Sequence, residues 1–230
     1  MDLSKRLKWI VDKLDKCEVI MDIGTDHGYI PIYLIKNNIA KKAIASDINK
    51  DPLKKAKINA SLDGVSEFVD LRLGGGLEPL KDNEAQGIII AGMGGNLIRD
   101  ILEHDFDKVK NLEYLILQPA QNPEVLREYL YTHDYEIIEE DVCIDEGKYY
   151  ELFKVRYKEG EYTKLESIFY EISPYLLNKK SPEFKSYLEH KCEQYNKVIS
   201  FIKDDTEHAK SRKNELQDKI NMIENVLKTF

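Results

Sequence analysis

The chain has 230 residues, 42% of them hydrophobic, and a formal net charge of −8. That length holds one well-packed domain with a smaller appendage, and that hydrophobic share excludes wholesale disorder. No run of about 18 apolar residues occurs, which argues against a membrane span, and the acidic balance argues against coating nucleic acid by charge alone.

Residues 1–20 mix charge with apolar spacing and lack the apolar centre of a secretory signal. Cys17, Cys143 and Cys192 stand far apart with no Cys-x-x-Cys pair, which points to reduced thiols in a cytoplasmic protein. Leu3, Leu7, Ile10, Val11 and Leu14 predict a helix over 3–14, with Ser4 as a cap. "EVIMDI" predicts the first strand, and a helix follows from Gly28 to Asn37. "KAIASDI" (42–48) is the second strand, and Asp51-Pro52 opens a helix reaching Leu62. "EFVDLRL" (67–73) and "GIIIAGM" (87–93) are the third and fourth. The fourth is apolar throughout, as expected of a strand buried on both faces. A helix over 96–104, a strand "YLILQP" (114–119) and a helix over 123–132 continue the alternation. Such βα units imply a parallel sheet with right-handed crossovers.

After Thr132 the pattern changes. "YEIIEEDVCI" (135–144) and "YYELFKVRY" (149–157) are separated only by "DEGK", too short for a crossover, so they predict an antiparallel hairpin. A mostly parallel sheet ending in such a hairpin fits a Rossmann-like class I methyltransferase. From about residue 160 no strand signal survives, which divides the chain into domains 1–160 and 161–230. Leu165, Ile168, Phe169 and Ile172 predict a helix stopped by Pro174. Ser181-Pro182-Glu183 starts another, which a polar stretch (203–215) interrupts. Leu216, Ile220, Ile223, Leu227 and Phe230 then step in a coiled-coil rhythm. An antiparallel helical hairpin is the simplest reading, and one long helix is the alternative.

Residues 22–28, "DIGTDHG", turn from the first strand into a helix. Gly24 and Gly28 permit a tight turn and a close backbone approach to a ligand. A pyrophosphate would be repelled by Asp26, which stands where a dinucleotide loop has its middle glycine. S-adenosylmethionine has no phosphate and carries an ammonium and a sulfonium cation, so Asp22 or Asp26 can face its positive charge. Asp47 ends the second strand, 23 residues beyond Gly24, where a carboxylate reaches ribose hydroxyls. Gly74, Gly75 and Gly76 follow the third strand and leave backbone open to a flat ring. Gly92, Met93 and Gly94 follow the fourth, at the carboxyl edge where ligands of open α/β sheets collect, and Gln118 adds to that rim. The histidines give no metal-ligand spacing.

With these blocks assembled, the sequence resembles the TrmK family, bacterial tRNA adenine-N1 methyltransferases acting at adenosine 22. The blocks are "LSKRL" (3–7), "DIGTDHGYIP" (22–31), "SDI" (46–48), "RLGGGL" (72–77), "IAGMGG" (90–95), "LQP" (117–119) and "KYYEL" (148–152). The resemblance implies a Rossmann-like domain followed by a coiled-coil helical domain, S-adenosyl-L-methionine as cofactor and tRNA as partner. It places cofactor contacts at Gly24, Asp26, His27 and Gly28, with Asp22 behind them and Asp47, with Ile48, at the ribose. Gly74–Gly76 would flank the adenine, and Gly92, Met93 and Gly94 the methyl-transfer point. Position 75 is Gly where an acidic or amide residue is expected, so a hydrogen bond to the cofactor's adenine amino group would have to come from elsewhere.

Tyr29 is then the candidate for stacking on the target base, and Asp26 for favouring its cationic form. Residues 161–230 hold 12 Lys/Arg against 12 Asp/Glu, so the acidic excess lies in 1–160 and any RNA surface is a local patch. Candidates are Arg6 within "SKRLK", then Lys54, Lys55 and Lys57, and in the helical part Lys179, Lys180, Lys210, Arg212 and Lys213. Solvated helix faces are the alternative for each. A monomer without membrane or metal is expected, with dimerisation through the helical part as the alternative. Rival functions are a methyltransferase for another substrate, a nucleoside-binding scaffold, and an NAD-dependent oxidoreductase, which Asp26 and the terminal hairpin disfavour.

Overall fold

A computed structural model describes residues 2–204 and 206–230. The chain divides into two compact units, one ending at Lys164 and the other spanning Leu165–Phe230.

The first unit opens with α1 (Lys5–Val11), capped by Ser4, whose Oγ accepts from Leu7 N. This helix is shorter than its apolar spacing suggests, yet Leu3 and Leu14 beyond its ends still pack against the core. Then β1 (Cys17–Ile23), α2 (Tyr29–Lys36), β2 (Ala40–Asp47), α3 (Lys50–Leu62) and β3 (Val69–Leu73) alternate. They are followed by β4 (Gly87–Gly94), α4 (Gly95–His104), a short α5 (Phe106–Val109), β5 (Tyr114–Gln121) and α6 (Pro123–Thr132). The unit ends in β6 (Tyr135–Asp145) and β7 (Lys148–Tyr157). Residues 66–68 form a 3-10 turn rather than the start of β3, and α5 has no counterpart among the predicted elements.

The seven strands form one sheet in the order β3-β2-β1-β4-β5-β7-β6. The first five are parallel, whereas β7 runs antiparallel to both β5 and β6. The hairpin turn is only Glu146-Gly147, both with positive φ (49° and 75°), the backbone that matches the twist of two-residue hairpins. On β4, Ile88 and Ile90 enter one core cluster and Ile89 the other, so the sheet is covered on both faces. Three wholly buried isoleucines in a row are the reason β4 reads as continuous rather than alternating.

An ion-pair cluster is buried in this unit. Arg127 of α6 is fully buried, 2.8 Å from Glu140 of β6, and also pairs with Glu151 of β7. The guanidinium thereby fastens α6 to the antiparallel hairpin.

The second unit contains α7 (Ile168–Glu171), α8 (Pro174–Lys179), α9 (Pro182–Phe201) and α10 (Glu207–Leu227). The helix before Pro174 ends at Glu171, as expected, and one other expectation is corrected here. Pro174 stands at the start of α8, where its missing N–H costs nothing, so helix resumes at once. The polar stretch does not interrupt the helices as far as 215. Thr206 caps α10, with Oγ1 accepting from Ala209 N, and the polar run forms its exposed first turns. The two long helices are antiparallel: Lys180 Nζ reaches Thr229 O at 2.7 Å, and the Phe184 and Phe230 rings lie 6.2 Å apart. Phe184, Leu188 and Cys192 are buried from one helix, Leu216, Ile220 and Ile223 from the other. Burial alone would raise the Glu171 carboxyl, but Lys191 at 3.3 Å and Lys219 overcome it and hold its pKa down at about 2.

Removing the buried guanidinium would strand two carboxylates. Arg127→Ala is expected to lower the unfolding free energy by about 3–5 kcal/mol, measured by urea denaturation at neutral pH.

Candidate active site

Beyond Ile23 the chain turns through Gly24 (φ 74°), Thr25, Asp26, His27 (φ 61°) and Gly28 (φ 68°) into α2. The N–H groups of Gly24 and Thr25 both donate to Ser46 O at 2.9 Å, which ties this loop to β2. A Cβ on Gly24 would collide with the Met93 side chain, and one on Gly28 would lie 2.9 Å from Ala56 Cβ of α3. Gly28 is therefore required by close approach as well as by backbone angle, and Gly24 by its backbone angle. Asn59 Nδ2 donates to His27 O at 2.9 Å and supports the left-handed histidine. The His27 ring stacks on Tyr29 with centroids 5.2 Å apart, and its Nε2 is 3.4 Å from Asp26 Oδ1. Asp26 itself is 75% exposed in its side chain.

Beneath the loop lies a buried polar group. Asp22 is 6% exposed, and burial, with the nearby Asp47 charge, pushes its carboxyl up to about 6 against a smaller opposing effect of Thr25. The Thr25 and Ser46 hydroxyls are buried too and make no hydrogen bond of regular geometry. Next to them, Asp47 Oδ1 accepts from Asn49 N at 2.6 Å. Ile48 is 71% exposed, and its Cγ2 lies 3.3 Å from where a Gly75 Cβ would stand. Leu73, paired with Asp47 across β2 and β3, is also exposed. The run Gly74–Gly76 is pinned rather than loose: Gly74 N donates to Asp47 O at 3.0 Å, and Leu77 N to Asp105 Oδ2 at 2.8 Å. Carboxylates at two strand ends, an open apolar shelf and bare peptide backbone suit a nucleoside bearing positive charge. S-adenosylmethionine fits that description.

On the other side of β4 the rim has a different character. Gly92 (φ 81°) sits where the register of β4 on β5 shifts, and Gly95 opens α4 so close to Asn122 O that a side chain would collide with it. Gln118 is wholly buried; its Nε2 donates to Pro119 O at 2.7 Å, and its Oε1 accepts from Arg6 Nη1. The Arg6 guanidinium lies 5.3 Å from the centre of the Tyr150 ring and 3.7 Å from where a Gly92 Cβ would stand. Arg6 N donates to Asp145 Oδ2 at 2.9 Å. Tyr150 and Asp145 were not singled out from the sequence, although "KYYEL" contains the tyrosine.

The structure thus gathers Asp22, Gly24, Asp26, His27, Gly28 and Tyr29 into one turn and brings Met93 onto it. It also joins Arg6 to Gln118. It does not gather the helical basic residues. Lys180 is at the Thr229 end of α10, whereas Lys210, Arg212 and Lys213 lie near its start. With 1.5 Å rise per residue the two groups are about 25 Å apart. Arg212 is also paired with Glu215 at 2.8 Å. A cleft of about 830 Å³ opens at the amino edge of the sheet, lined by Cys17, Ile39 and Phe68 among others, and contains none of the predicted site residues. Among the described residues no group of three His, Cys, Asp or Glu side chains could hold a metal ion, and no helix is long and apolar enough to cross a membrane.

Five parallel strands closed by an antiparallel β7–β6 hairpin, with glycine turns ending β1 and β4 at one edge, define a Rossmann-like methyltransferase. Residues 20–225 match the family described as TrmK, tRNA (adenine(22)-N(1))-methyltransferase, and the chain belongs to that family. It is 34% identical over 234 residues to the tRNA (adenine(22)-N(1))-methyltransferase of Bacillus subtilis (strain 168), covering 99% of this chain and 98% of that protein. A Streptococcus pneumoniae structure in complex with S-adenosyl-L-methionine superposes with a TM-score of 0.87 at 31% identity, covering 98% of this chain and 100% of that one. Mycoplasma capricolum TrmK with S-adenosyl-homocysteine gives 0.82 at 31% identity, covering 98% of each.

The buried carboxyl makes a measurable signature. An unfolded aspartate titrates near ~3.9, below the folded value of about 6 for Asp22. Between those values the folded protein holds the extra proton, so stability falls as pH rises, and the loss is complete above the folded value. The advantage of Asp22→Asn over wild type should therefore grow through this window and level off at about 2–3 kcal/mol, read from urea unfolding of the ligand-free protein.

Proposed function

We infer that this chain transfers a methyl group from S-adenosyl-L-methionine to N1 of adenosine 22 in tRNA. The observation that carries this reading is the full-length match to the TrmK family, on a sheet whose carboxyl edge sets Gly24 against Met93. When bound, the cofactor supplies a methyl group on a sulfonium cation. Gly24, Asp26, His27 and Gly28 hold its amino-acid end, and Asp22 answers the positive charge from below. Asp47 takes the ribose, with Ile48 beside it, while Gly74, Gly75 and Gly76 border the adenine. Gly92, Met93 and Gly94 line the point of transfer.

N1 of neutral adenine carries an in-plane lone pair, so no residue has to remove a proton first. The protein's work is to orient the base and to stabilise a ring that becomes cationic. Tyr29, backed by His27, offers an aromatic face to the base, and Asp26 offers the countercharge. Because N1 lies on the pairing edge, the base must enter unpaired or turned out of its helix. Arg6 meets the RNA at the rim; Gln118, expected beside it, is wholly buried and serves instead to hold the guanidinium from behind. In this reading residues 1–160 carry cofactor binding and transfer. The helical part, 161–230, helps to hold the tRNA through Lys179, Lys180, Lys210, Arg212 and Lys213. The enzyme works in the cytoplasm as a monomer.

The protein incubated with unmodified tRNA and methyl-labelled cofactor should yield labelled 1-methyladenosine on nuclease digestion and mass spectrometry. A transcript lacking adenosine at position 22 should stay unlabelled. No label in any tRNA, despite cofactor binding, would overturn the reading. Asp26→Ala should keep the wild-type unfolding midpoint, its side chain being exposed, and lose about 100-fold or more in turnover. Near-normal turnover would remove Asp26 from the chemistry.

A further inference from the structure

Six arginines occur in the chain. Arg72, Arg99, Arg127, Arg156 and Arg212 each pair with an aspartate or glutamate. Among the described residues Arg6 alone has no carboxylate within ion-pair distance of its guanidinium. It donates instead to the neutral Gln118 amide and rests on the Tyr150 ring. Its positive charge is held in place and left uncompensated.

The holding is thorough. Arg6 N is anchored on Asp145, Trp9 Nε1 donates to Asp141 Oδ2 at 3.0 Å, and Lys13 Nζ lies 2.6 Å from both Glu139 and Asp141. Four contacts thus strap α1 and the residues just after it along β6. A guanidinium fixed in this way loses little further freedom on binding an anion, and its planar fork suits two oxygens of a phosphate.

Position decides which anion. The loops proposed for the cofactor end β1, β2 and β3, on one side of β4. Arg6 touches β5 and β7 on the other side, next to Gly92. On the function proposed above, the cofactor is held by the loops of the first half, which leaves the second half open to the RNA backbone. A cation against the target ring would oppose its gain of positive charge, so a guanidinium here serves transfer best when a phosphate neutralises it.

We propose that Arg6 is a phosphate clamp: propped by Gln118 and Tyr150, it grips the RNA phosphate next to the target adenosine and sets how far the base enters. This rests on the tRNA methyltransferase reading. Arg6→Ala should weaken tRNA binding about tenfold at low salt, reduce the slope of log affinity against log salt by about 1, and leave cofactor affinity within about twofold. Arg6→Lys should keep the slope and lose part of the affinity. Tyr150→Leu should weaken tRNA binding about threefold by loosening the prop, with cofactor affinity again unchanged. These arms use filter binding for tRNA and calorimetry for S-adenosylmethionine, so they need no turnover. An active Arg6→Ala enzyme with unchanged tRNA affinity and salt slope would overturn the clamp alone. So would a tenfold loss of cofactor affinity with tRNA binding intact, which would assign the guanidinium to the cofactor's carboxylate. Wild-type protein that binds cofactor but neither binds nor methylates tRNA would overturn the underlying reading, and the clamp with it.

Discussion

Strands β1 and β4 are parallel neighbours at the middle of the sheet, and parallel pairing brings their carboxyl ends to the same edge. Each ends in a glycine with a left-handed backbone, Gly24 and Gly92. The Met93 side chain occupies the space that a Cβ on Gly24 would need. The rest of the edge is arranged about this contact. Ser46 O ties the first turn to β2, which brings Asp47 alongside, and β5 adds Gln118 behind the second turn. Where glycines end the turns, a ligand can be met by peptide groups as well as by side chains. That accounts for an edge rich in glycine, on which Asp22, Asp26, Asp47 and Arg6 sit without a nucleophile–base pair. Such an edge suits a reaction in which the acceptor nitrogen already carries its lone pair.

Charge is distributed just as unevenly. The strongest ion pairs are turned inward: Arg127 with Glu140 and Glu151, and Glu171 with Lys191 and Lys219. They order elements and are screened from any partner. What remains at the edge is polarised across β4. Asp22, Asp26 and Asp47 lie on the β1–β2 side, and the uncompensated Arg6 lies on the β5–β7 side. A cationic cofactor and an anionic RNA chain are complementary to that polarity, on the function proposed above. The net charge of −8 therefore says little about RNA binding, because one placed guanidinium acts at contact distance while the dispersed acids are screened by salt.

The parallel strands were legible because their signals are local. Ile88–Ile90 can only be a doubly buried strand, and a four-residue gap can only join antiparallel neighbours. The turn at 22–28 was legible for the same reason, since its glycines answer to backbone angle. Three features were not. The start of α10 lies in a polar run, and only the Thr206 cap and the packing of Leu216 and Ile220 further along make it helix. The burial of Asp22 depends on how β2 and the loop close over it, which no window of sequence contains. The Arg6–Gln118–Tyr150 cluster joins residues more than a hundred positions apart, so spacing carries no trace of it. The basic residues of the helical part form two local groups in the sequence, and the antiparallel hairpin sets those groups at opposite ends.

Asp26 poses the sharpest physical question, because an exposed carboxylate in water is a weak electrostatic tool. Coulomb attraction scales inversely with the local dielectric, so moving from ~80 to ~20 multiplies it about fourfold. A base lying over Tyr29 would displace the water around Asp26 and produce that change. The carboxylate's influence would thus be latent in the free protein and arise on docking, at the moment the ring begins to gain charge. On the role proposed for Asp26, selection and catalysis would then be one event. A base that fills the rim would convert a solvated carboxylate into a countercharge, and a base that leaves water there would obtain neither positioning nor stabilisation.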